Sequence, residues 1–185
     1  MHDFRLRRAA WMVRRGGVIA YPTEGVYGLG CDPLNAKAVR RLLAMKRRPV
    51  GKGLILVASS LDQLLPFVIL PASRIMDRVL ATWPGPVTWV FPVRKKVPKW
   101  LHGGRGSLAV RVSAHPPVAL LCRRTGPLVS TSANITNRPP CRNVLAVRRV
   151  FGRGLNDILP GRLGGLSGPT PIYDGSTGKV LRAVS

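Results

Sequence analysis

The sequence predicts an α/β (α+β) protein built on one twisted, open sheet of mixed strand pairing with flanking helices. Helix-like stretches alternate irregularly with short β-rich segments, which favours mixed over purely parallel pairing. The chain has 185 residues, of which 45% are hydrophobic, and that is enough for one domain with its own core. No repeat, low-complexity tract or linker divides it, so we expect a single domain over residues 1–185.

The first half of the chain is expected to run helix, strand, helix, strand, helix, helix. These elements cover residues 3–15, 18–21, 36–46, 53–58, 61–67 and 72–82. The first strand stops at Pro22, which cannot continue a ladder, and Asn35 is a typical N-cap for the helix that follows. The segment PTEGVYGLGCDP (22–33) between them is predicted to be a loop. The run at 53–58 is apolar, as in a strand buried on both faces.

The second half is expected to hold two strands, a helix, a strand, a helix and two short strands. These cover residues 87–93, 107–113, 116–124, 127–132, 143–151, 171–173 and 179–182. Two prolines open the helix at 116, where a missing N–H costs little. The Gly-rich stretch 161–170 could cradle a phosphate with its backbone N–H groups, but a flexible connection is the expected structure.

Charge is the unusual feature of the composition. Lys and Arg number 30 against 7 Asp and Glu, a formal net charge of +23. Glu24 is the only glutamate, so chemistry built on a pair of carboxylates, as in glycosidases or two-metal nucleases, is almost excluded. The cations indicate polyanionic partners such as nucleic acid or nucleotide phosphates. A compositional bias towards arginine explains the charge equally well.

The cysteines and histidines indicate a protein of the reducing cytoplasm without a metal site of its own. The 3 Cys and 3 His show no C-x-x-C or H-x-x-x-H spacing, so neither a disulfide framework nor a transition-metal site is expected. The longest apolar runs are far shorter than the ~20 residues of a membrane span. The Arg-rich start is amphipathic like a mitochondrial presequence, but it leads directly into a strand and is interpreted as the first helix.

Polar residues end or interrupt apolar strands in several places, and open α/β sheets bind ligands at strand ends. The segments are Tyr21–Gly25, Lys46–Lys52, Ser107–Arg111 and Ser130–Asn134. Taken alone, the first is better explained as a glycine-rich turn. The second is better explained as a solvated helix end, although it could clamp a triphosphate. The hydroxyls and amide of Ser130–Asn134 could cap a turn, but as the end of a buried strand they favour a site.

Arg111 is the most informative residue of these segments. Strand alternation places Ser107, Ala109 and Arg111 on one face of their strand, opposite Leu108 and Val110. An arginine inside such an apolar strand needs an anionic partner. Because acids are scarce in this chain, we expect that partner to be a bound ligand rather than a protein carboxylate.

In order along the chain, six motifs resemble those of the YrdC/TsaC family of L-threonylcarbamoyladenylate synthases. They are YPTE (21–24), Lys46-Arg47-Arg48, Lys52-Gly53-Leu54, WPGPVT (83–88), Ala109-Val110-Arg111 and Ser132-Ala133-Asn134. The resemblance runs from about Val18 to Arg182 and implies a YrdC-like sheet with a concave basic face. It also implies an enzyme that joins L-threonine, bicarbonate and ATP into threonylcarbamoyl-AMP and releases pyrophosphate, the first step of N6-threonylcarbamoyladenosine formation in tRNA.

The resemblance further implies roles for individual residues. Thr23, Arg111 and Thr170 would bind threonine, with Arg111 pairing with its carboxylate. ATP would be bound by Lys46, Arg48, Lys52, Ser107, Ser132, Asn134 and Arg182, of which Lys46, Arg48, Ser132 and Asn134 would be catalytic. Mg²⁺ would accompany ATP and be held mainly by the triphosphate and water. The partners implied are the proteins that transfer the threonylcarbamoyl group, with tRNA or double-stranded RNA as a further possible ligand.

The tail departs from the family pattern, because Tyr173 stands where the family often has arginine and Pro171 is added. Two other functions stay open on the residues alone. One is a non-catalytic basic module that binds structured RNA such as tRNA or rRNA, and the other is a regulatory protein that binds ATP and threonine without turnover. The basic residues outside the motifs show no aromatic-interleaved pattern typical of an RNA-binding surface.

Overall fold

The computed structural model describes residues 3–71 and 74–183. Its helices are α1 (Asp3–Arg14), α2 (Ala36–Lys46), α3 (Arg74–Thr82), α4 (Lys99–His102), α5 (Pro116–Thr125) and α6 (Val144–Phe151). Its strands are β1 (Ile19–Pro22), β2 (Tyr27–Cys31), β3 (Ile55–Ala58), β4 (Thr88–Pro92), β5 (Ser107–Val112), β6 (Leu128–Ser132), β7 (Asp157–Ile158), β8 (Ile172–Asp174) and β9 (Val180–Arg182). In this part of the chain, none of the helices has the length and apolarity to cross a membrane.

The described strands form one nine-stranded sheet in the order β7-β1-β2-β6-β3-β5-β4-β8-β9. β1 with β7, β3 with β5 and β4 with β8 are parallel pairs, and the other neighbours are antiparallel. This mixed sheet with flanking helices confirms the predicted fold class. Because β2, β6, β3 and β5 are neighbours, the YPTE turn, the Ser130–Asn134 segment and the Arg111 strand lie side by side.

Different helices cover the two faces of the sheet. One face packs against α1 and α5, and its buried residues include Ile19, Tyr21, Val57 and Leu128. The opposite face packs against α2 and α6, and its buried residues include Leu29, Leu56, Val110 and Val129. The central strands are apolar on both sides because successive residues alternate between these two cores. Burying each large apolar side chain contributes about 1.5–3 kcal/mol.

Several predicted elements differ from the structure. Residues 61–67 form consecutive turns rather than a helix, since Pro66 has no N–H with which to continue a helical ladder. The predicted loop 22–33 contains β2, and neither α4 nor β7 was expected. The helix predicted over 72–82 is present from Arg74 onward, and residues 72 and 73 lie outside the described residues.

The glycines of β2 prevented its prediction from the sequence, because glycine is depleted in strands. Packing nevertheless requires one of them, Gly30. A Cβ on Gly30 would lie 2.6 Å from the carbonyl oxygen of Val129 and 2.7 Å from Cε1 of Tyr21. The Tyr21 ring therefore occupies the space above Gly30. Gly30 is the position where β1 and β6 approach β2 too closely for a side chain.

We expect Gly30→Ala to lower the free energy of unfolding by about 1–3 kcal/mol, because the added methyl overpacks a closed site. Urea denaturation measures the change. Gly152→Ala is the matched control, since its Cβ would meet no neighbour closer than 4.0 Å and its φ is −49°. That variant is expected to change stability by less than about 1 kcal/mol. Equal losses in the two variants would contradict the packing argument.

Candidate active site

Two adjoining cavities are lined by residues of β2, β3, β5 and β6, and the polar ones come from β5 and β6. The inner cavity, of about 140 Å³, is lined by the β1–β2 turn, β6, Arg111 and the segment 168–170. The outer cavity, of about 270 Å³, lies between the turn at 50–53, β5 and the β8–β9 hairpin. Arg48 and Arg182 line both cavities, so these two cations stand at the boundary between them.

The structure brings most of the predicted site residues together. The inner cavity is lined by Thr23, Arg48, Arg111, Ser132, Thr170 and Arg182. The outer cavity adds Lys52 and Ser107. Lys46 and Asn134 line neither cavity and instead lie in the structure behind Ser132. The three residues predicted for threonine all line the inner cavity. Those predicted for ATP are divided: Lys52 and Ser107 line the outer cavity, Arg48 and Arg182 line both, and Ser132 lines the inner one.

Arg111 is buried, with 5% of its surface exposed. Its Nη1 donates to Thr170 Oγ1 at 2.8 Å, and its Nη2 lies 3.1 Å from Glu24 Oε2. The expectation that a ligand rather than a protein carboxylate balances this charge is wrong, because the side chain of Glu24 does so. Its Nε is buried without a partner among the described residues.

The ion pair belongs to a buried hydrogen-bond network that joins distant parts of the chain. Ser113 donates its hydroxyl to Glu24 Oε1 at 2.6 Å. The hydroxyls of Thr170 and Thr88 lie 3.2 Å apart, and Arg182 Nη2 donates to the Thr170 carbonyl at 2.6 Å. The network ties the β1–β2 turn, β4, β5 and the tail into one arrangement.

The end of α2 separates the residues of the Lys46-Arg47-Arg48 motif, because Lys46 is the last residue of the helix and Arg48 lies beyond it. Arg47 takes a left-handed conformation, φ 50°, and ends the helix. Lys46, still helical, is 2% exposed; its Nζ contacts the Ser132 carbonyl and donates to the carbonyl and Oδ1 of Asn134, at 2.7 and 3.2 Å. Burial, with the nearby Arg48 charge, lowers the pKa of Lys46 to about 8. Arg48, beyond the turn, reaches the cavities.

Asn134 organises the loop after β6. Its Oδ1 accepts the Ser132 hydroxyl at 2.6 Å, and its Nδ2 donates to the carbonyls of Ile135 and Arg138 at 3.1 and 2.7 Å. All of these contacts are local, so Asn134 and Lys46 together fix the position of Ser132, which does line the inner cavity.

The cavity walls are cationic. Among the described residues that line them are Arg48, Lys52, Arg105, Arg111 and Arg182, and no aspartate or glutamate. Burial lowers the pKa of Arg48, and Arg105 adds to this effect. Burial likewise lowers the pKa of Arg182, with a contribution from Arg111. Like charges held together in this way favour an anionic ligand, which would relieve their repulsion.

The Gly-rich segment 161–170 folds back on the site, contrary to the expected flexible connection. Gly164 N–H donates to the Thr23 carbonyl at 3.1 Å and Leu166 N–H to the Glu24 carbonyl at 3.0 Å. A Cβ on Gly25 would lie 2.1 Å from the Gly168 carbonyl oxygen. The segment thus packs directly on the YPTE turn, and its end supplies Thr170 to the inner cavity.

Four residues at the site had no predicted role: Glu24, Ser113, His115 and Arg105. Glu24 had a signal, since Arg111 needs an anion and Glu24 is the only glutamate of the chain. His115 Nε2 is buried without a partner among the described residues, and burial lowers the pKa of His115, opposed by the charge of Glu24. No sequence pattern marked Ser113, His115 or Arg105.

Comparison with known proteins gives concordant matches. The model of the Sua5/YciO/YrdC family, described as "Telomere recombination", matches residues 12–183. The chain is 54% identical over 180 residues to the threonylcarbamoyl-AMP synthase of Halorhodospira halophila, covering 97% of this chain and 94% of that one. It is 52% identical over 181 residues to the protein of the same name from Nitrosococcus oceani, covering 97% and 98%.

A solved structure is similar as well. The crystal structure of P. abyssi Sua5 complexed with L-threonine superposes with a TM-score of 0.88 at 31% identity. The match covers 94% of this chain and 52% of the Sua5 chain, so this chain corresponds to about half of that longer protein.

We expect Glu24→Gln to lower the free energy of unfolding by about 3 kcal/mol or more, because Arg111 stays buried without its counter-charge. Thermal and urea unfolding measure the loss. Asp3→Asn removes a carboxylate that is 56% exposed in its side chain and is expected to cost less than about 1 kcal/mol. A double variant, Glu24→Gln with Arg111→Met, should recover part of the loss; no recovery would contradict the ion-pair explanation.

We expect the ε-amine of Lys46 to titrate near pH 8, far below an ordinary lysine. Below that pH the ammonium has a proton for each of its three oxygen contacts. Above it the neutral amine has only two N–H donors, so the loop that positions Ser132 loosens. NMR of ¹³Cε-labelled lysine checks this, and Lys46→Met identifies the resonance. Titration of that resonance near 10.5, the ordinary value, would contradict the expectation.

Proposed function

Because this chain belongs to the Sua5/YciO/YrdC family, we infer that it is a threonylcarbamoyl-AMP synthase. It joins L-threonine, bicarbonate and ATP into threonylcarbamoyl-AMP and releases pyrophosphate, the first step towards N6-threonylcarbamoyladenosine in tRNA. The observation that carries this inference is the 54% identity, over 97% of the chain, to a synthase of that name. The cationic cavities support it, since they offer cations and hydroxyls without a carboxylate pair.

The inner cavity is our proposed site for L-threonine. It has a small volume and presents the Arg111 guanidinium and the hydroxyls of Thr23 and Thr170. Thr23 already donates its hydroxyl to the Val26 carbonyl at 2.7 Å, so its oxygen remains free to accept from the threonine ammonium. The threonine carboxylate would pair with the Arg111 guanidinium. The threonine complex of P. abyssi Sua5 supports a pocket of this kind.

The outer cavity is our proposed site for ATP. Lys52, Arg105 and Ser107 line it, and Arg48 and Arg182 stand at its boundary with the inner cavity. The triphosphate would bring the negative charge that these cations lack. Its α-phosphate would lie at the boundary, where a group on threonine can reach it.

The reaction requires no covalent bond between the substrates and the protein. The threonine ammonium loses a proton to water, and the neutral amine then takes up bicarbonate as a carbamate with loss of water. A carbamate oxygen then attacks the α-phosphorus, and the bond to the leaving pyrophosphate breaks. Arg48 and Arg182 would stabilise the charge on the phosphates, and the buried network around Arg111 would hold threonine in line.

Lys46 and Asn134 act first as positioning residues in this proposal. Their contacts hold the loop that carries Ser132. For Lys46 to bind ATP directly, as predicted, its amine would have to exchange carbonyl contacts for phosphate oxygens. Either role makes both residues necessary for activity.

In this proposal Mg²⁺ binds together with ATP. Among the described residues, no group of three or more His, Cys, Asp or Glu side chains could hold a metal, and Glu24 is engaged by Arg111 and Ser113. Mg²⁺ would therefore be carried by the triphosphate and water, and would neutralise phosphate charge. The adenylate would pass to separate proteins that transfer the threonylcarbamoyl group to tRNA.

We expect threonine-dependent release of pyrophosphate when the protein is given MgATP, L-threonine and bicarbonate. Arg48→Ala should lower kcat/KM for ATP by about 100-fold, because it removes a charge-assisted contact to the transferring phosphate. Lys46→Ala should also cause a strong loss. A coupled pyrophosphate assay and chromatography of the adenylate measure both.

Arg149→Ala is the control for removal of a positive charge, since Arg149 is an exposed residue of α6 outside both cavities. It should keep full activity. Thr170→Val separates the two sites, because it should raise KM for threonine much more than KM for ATP. Absence of turnover in a folded protein that binds structured RNA tightly would overturn the enzyme and favour the RNA-binding module.

A further inference from the structure

A second charged surface lies on the solvent side of α1. Two aromatic side chains are exposed there, Phe4 at 68% and Trp11 at 47%. They flank an open groove of about 690 Å³ whose lining residues are Phe4, Arg7, Arg8, Trp11, Arg14 and Arg124. We call these six residues the arginine–aromatic patch. None of them lines either cavity of the active site.

The packing of α1 does not explain the exposed rings. The helix buries Leu6, Ala9, Ala10 and Val13 against the sheet, and these residues form its core face. Phe4 and Trp11 are two turns apart on a different face, about 10 Å along the axis at 1.5 Å per residue. Arg7 and Arg8 of the patch lie between them along the helix. Aromatic residues and arginines therefore alternate along this face of α1, contrary to the expectation that the basic residues show no aromatic-interleaved pattern.

The patch is positively charged beyond what neighbouring acids neutralise. Its four arginines face two aspartates: Asp3 contacts Arg7 and Arg124, and Asp157 contacts Arg8. Arg14 bonds only to a carbonyl, that of Arg124, at 2.9 Å in the described part of the chain. The guanidinium of Arg15 lies 4.8 Å from the centre of the Trp11 ring and adds a further positive charge.

We propose that the arginine–aromatic patch binds single-stranded nucleic acid. Unpaired bases would stack on Phe4 and Trp11, while the arginines pair with the phosphates between them. Exposed aromatic rings alternating with cations are the arrangement that binds single strands without reading sequence. Arginine suits this use because its planar guanidinium pairs with phosphate and also stacks. The proposal is independent of the synthase activity.

Other occupants fit the patch less well. A membrane-surface helix inserts a broad apolar face, whereas the apolar face of α1 is buried in the core and only two rings are exposed. A second copy of the chain would bring arginines against arginines. An acidic peptide would satisfy the arginines but would leave the rings without a stacking partner.

Fluorescence anisotropy with short labelled oligouridine, oligodeoxythymidine and an RNA duplex tests the proposal on the full chain. We expect single strands to bind, with Phe4→Ala and Trp11→Ala each weakening affinity about fivefold or more. Arg14→Ala should reduce the slope of log K against log salt by about 0.7. Binding should also quench Trp11, the exposed tryptophan, and the quench should vanish in Trp11→Phe.

The controls are Leu145→Ala, which removes an apolar side chain that is 74% exposed on α6, and Arg149→Ala. Neither should change affinity, and all patch variants should keep wild-type melting temperature and pyrophosphate release. Uridine and deoxythymidine strands distinguish RNA from DNA as the natural ligand. Affinity that is unaffected by the Phe4 and Trp11 changes, a preference for the duplex, or binding to anionic vesicles alone would overturn the proposal.

Discussion

The buried charge of Arg111 is the constraint around which this molecule is arranged. An arginine in a central strand must find an anion and several acceptors, or its burial would cost several kcal/mol. Glu24 supplies the anion, and Thr170 supplies an acceptor. Since these partners come from the turn after β1 and from the tail, satisfying one guanidinium fixes the relative positions of segments that are distant in the sequence.

Outside the Arg111 network, the positive charges of the site have no carboxylate partner among the described lining residues. The only glutamate is used inside the network, and the cavity walls carry cations without further carboxylates. Burial lowers the pKa of Arg48 and of Arg182, and the charges of Arg105 and Arg111, respectively, add to this effect. In the free protein the positive charge of the site is therefore unbalanced, and the phosphates of a substrate would balance it. The same positive charge would then provide binding energy and select an anionic substrate.

Local sequence patterns predicted the parts of this structure that depend on neighbouring residues. Alternation in β5 was enough to separate Arg111 from Leu108 and Val110, and collinear motifs placed most of the cavity lining. β2 was not predictable because Gly30 is required by its close contact with the Tyr21 ring on β1, which is a tertiary contact. Lys46 is buried behind Ser132 whereas Arg48 reaches the cavities, because Arg47 between them takes a left-handed conformation and ends α2. The Glu24–Arg111 pair was not predicted, because only the fold brings these distant residues together and the scarcity of acids favoured a ligand as the partner of Arg111.

The return of the tail over the YPTE turn also governs the order in which the molecule can be assembled. Gly168, Thr170 and Arg182 are walls of the inner cavity, and they are synthesised after almost all of the sheet. A nascent chain on the ribosome can pair β1, β2, β6, β3 and β5 before β8 docks beside β4. Until then Arg111 lacks its hydrogen bond to Thr170, and the wall formed by Gly168, Thr170 and Arg182 is missing from the inner cavity. The active site is therefore completed only after the tail segment and the β8–β9 strands dock on the rest of the sheet.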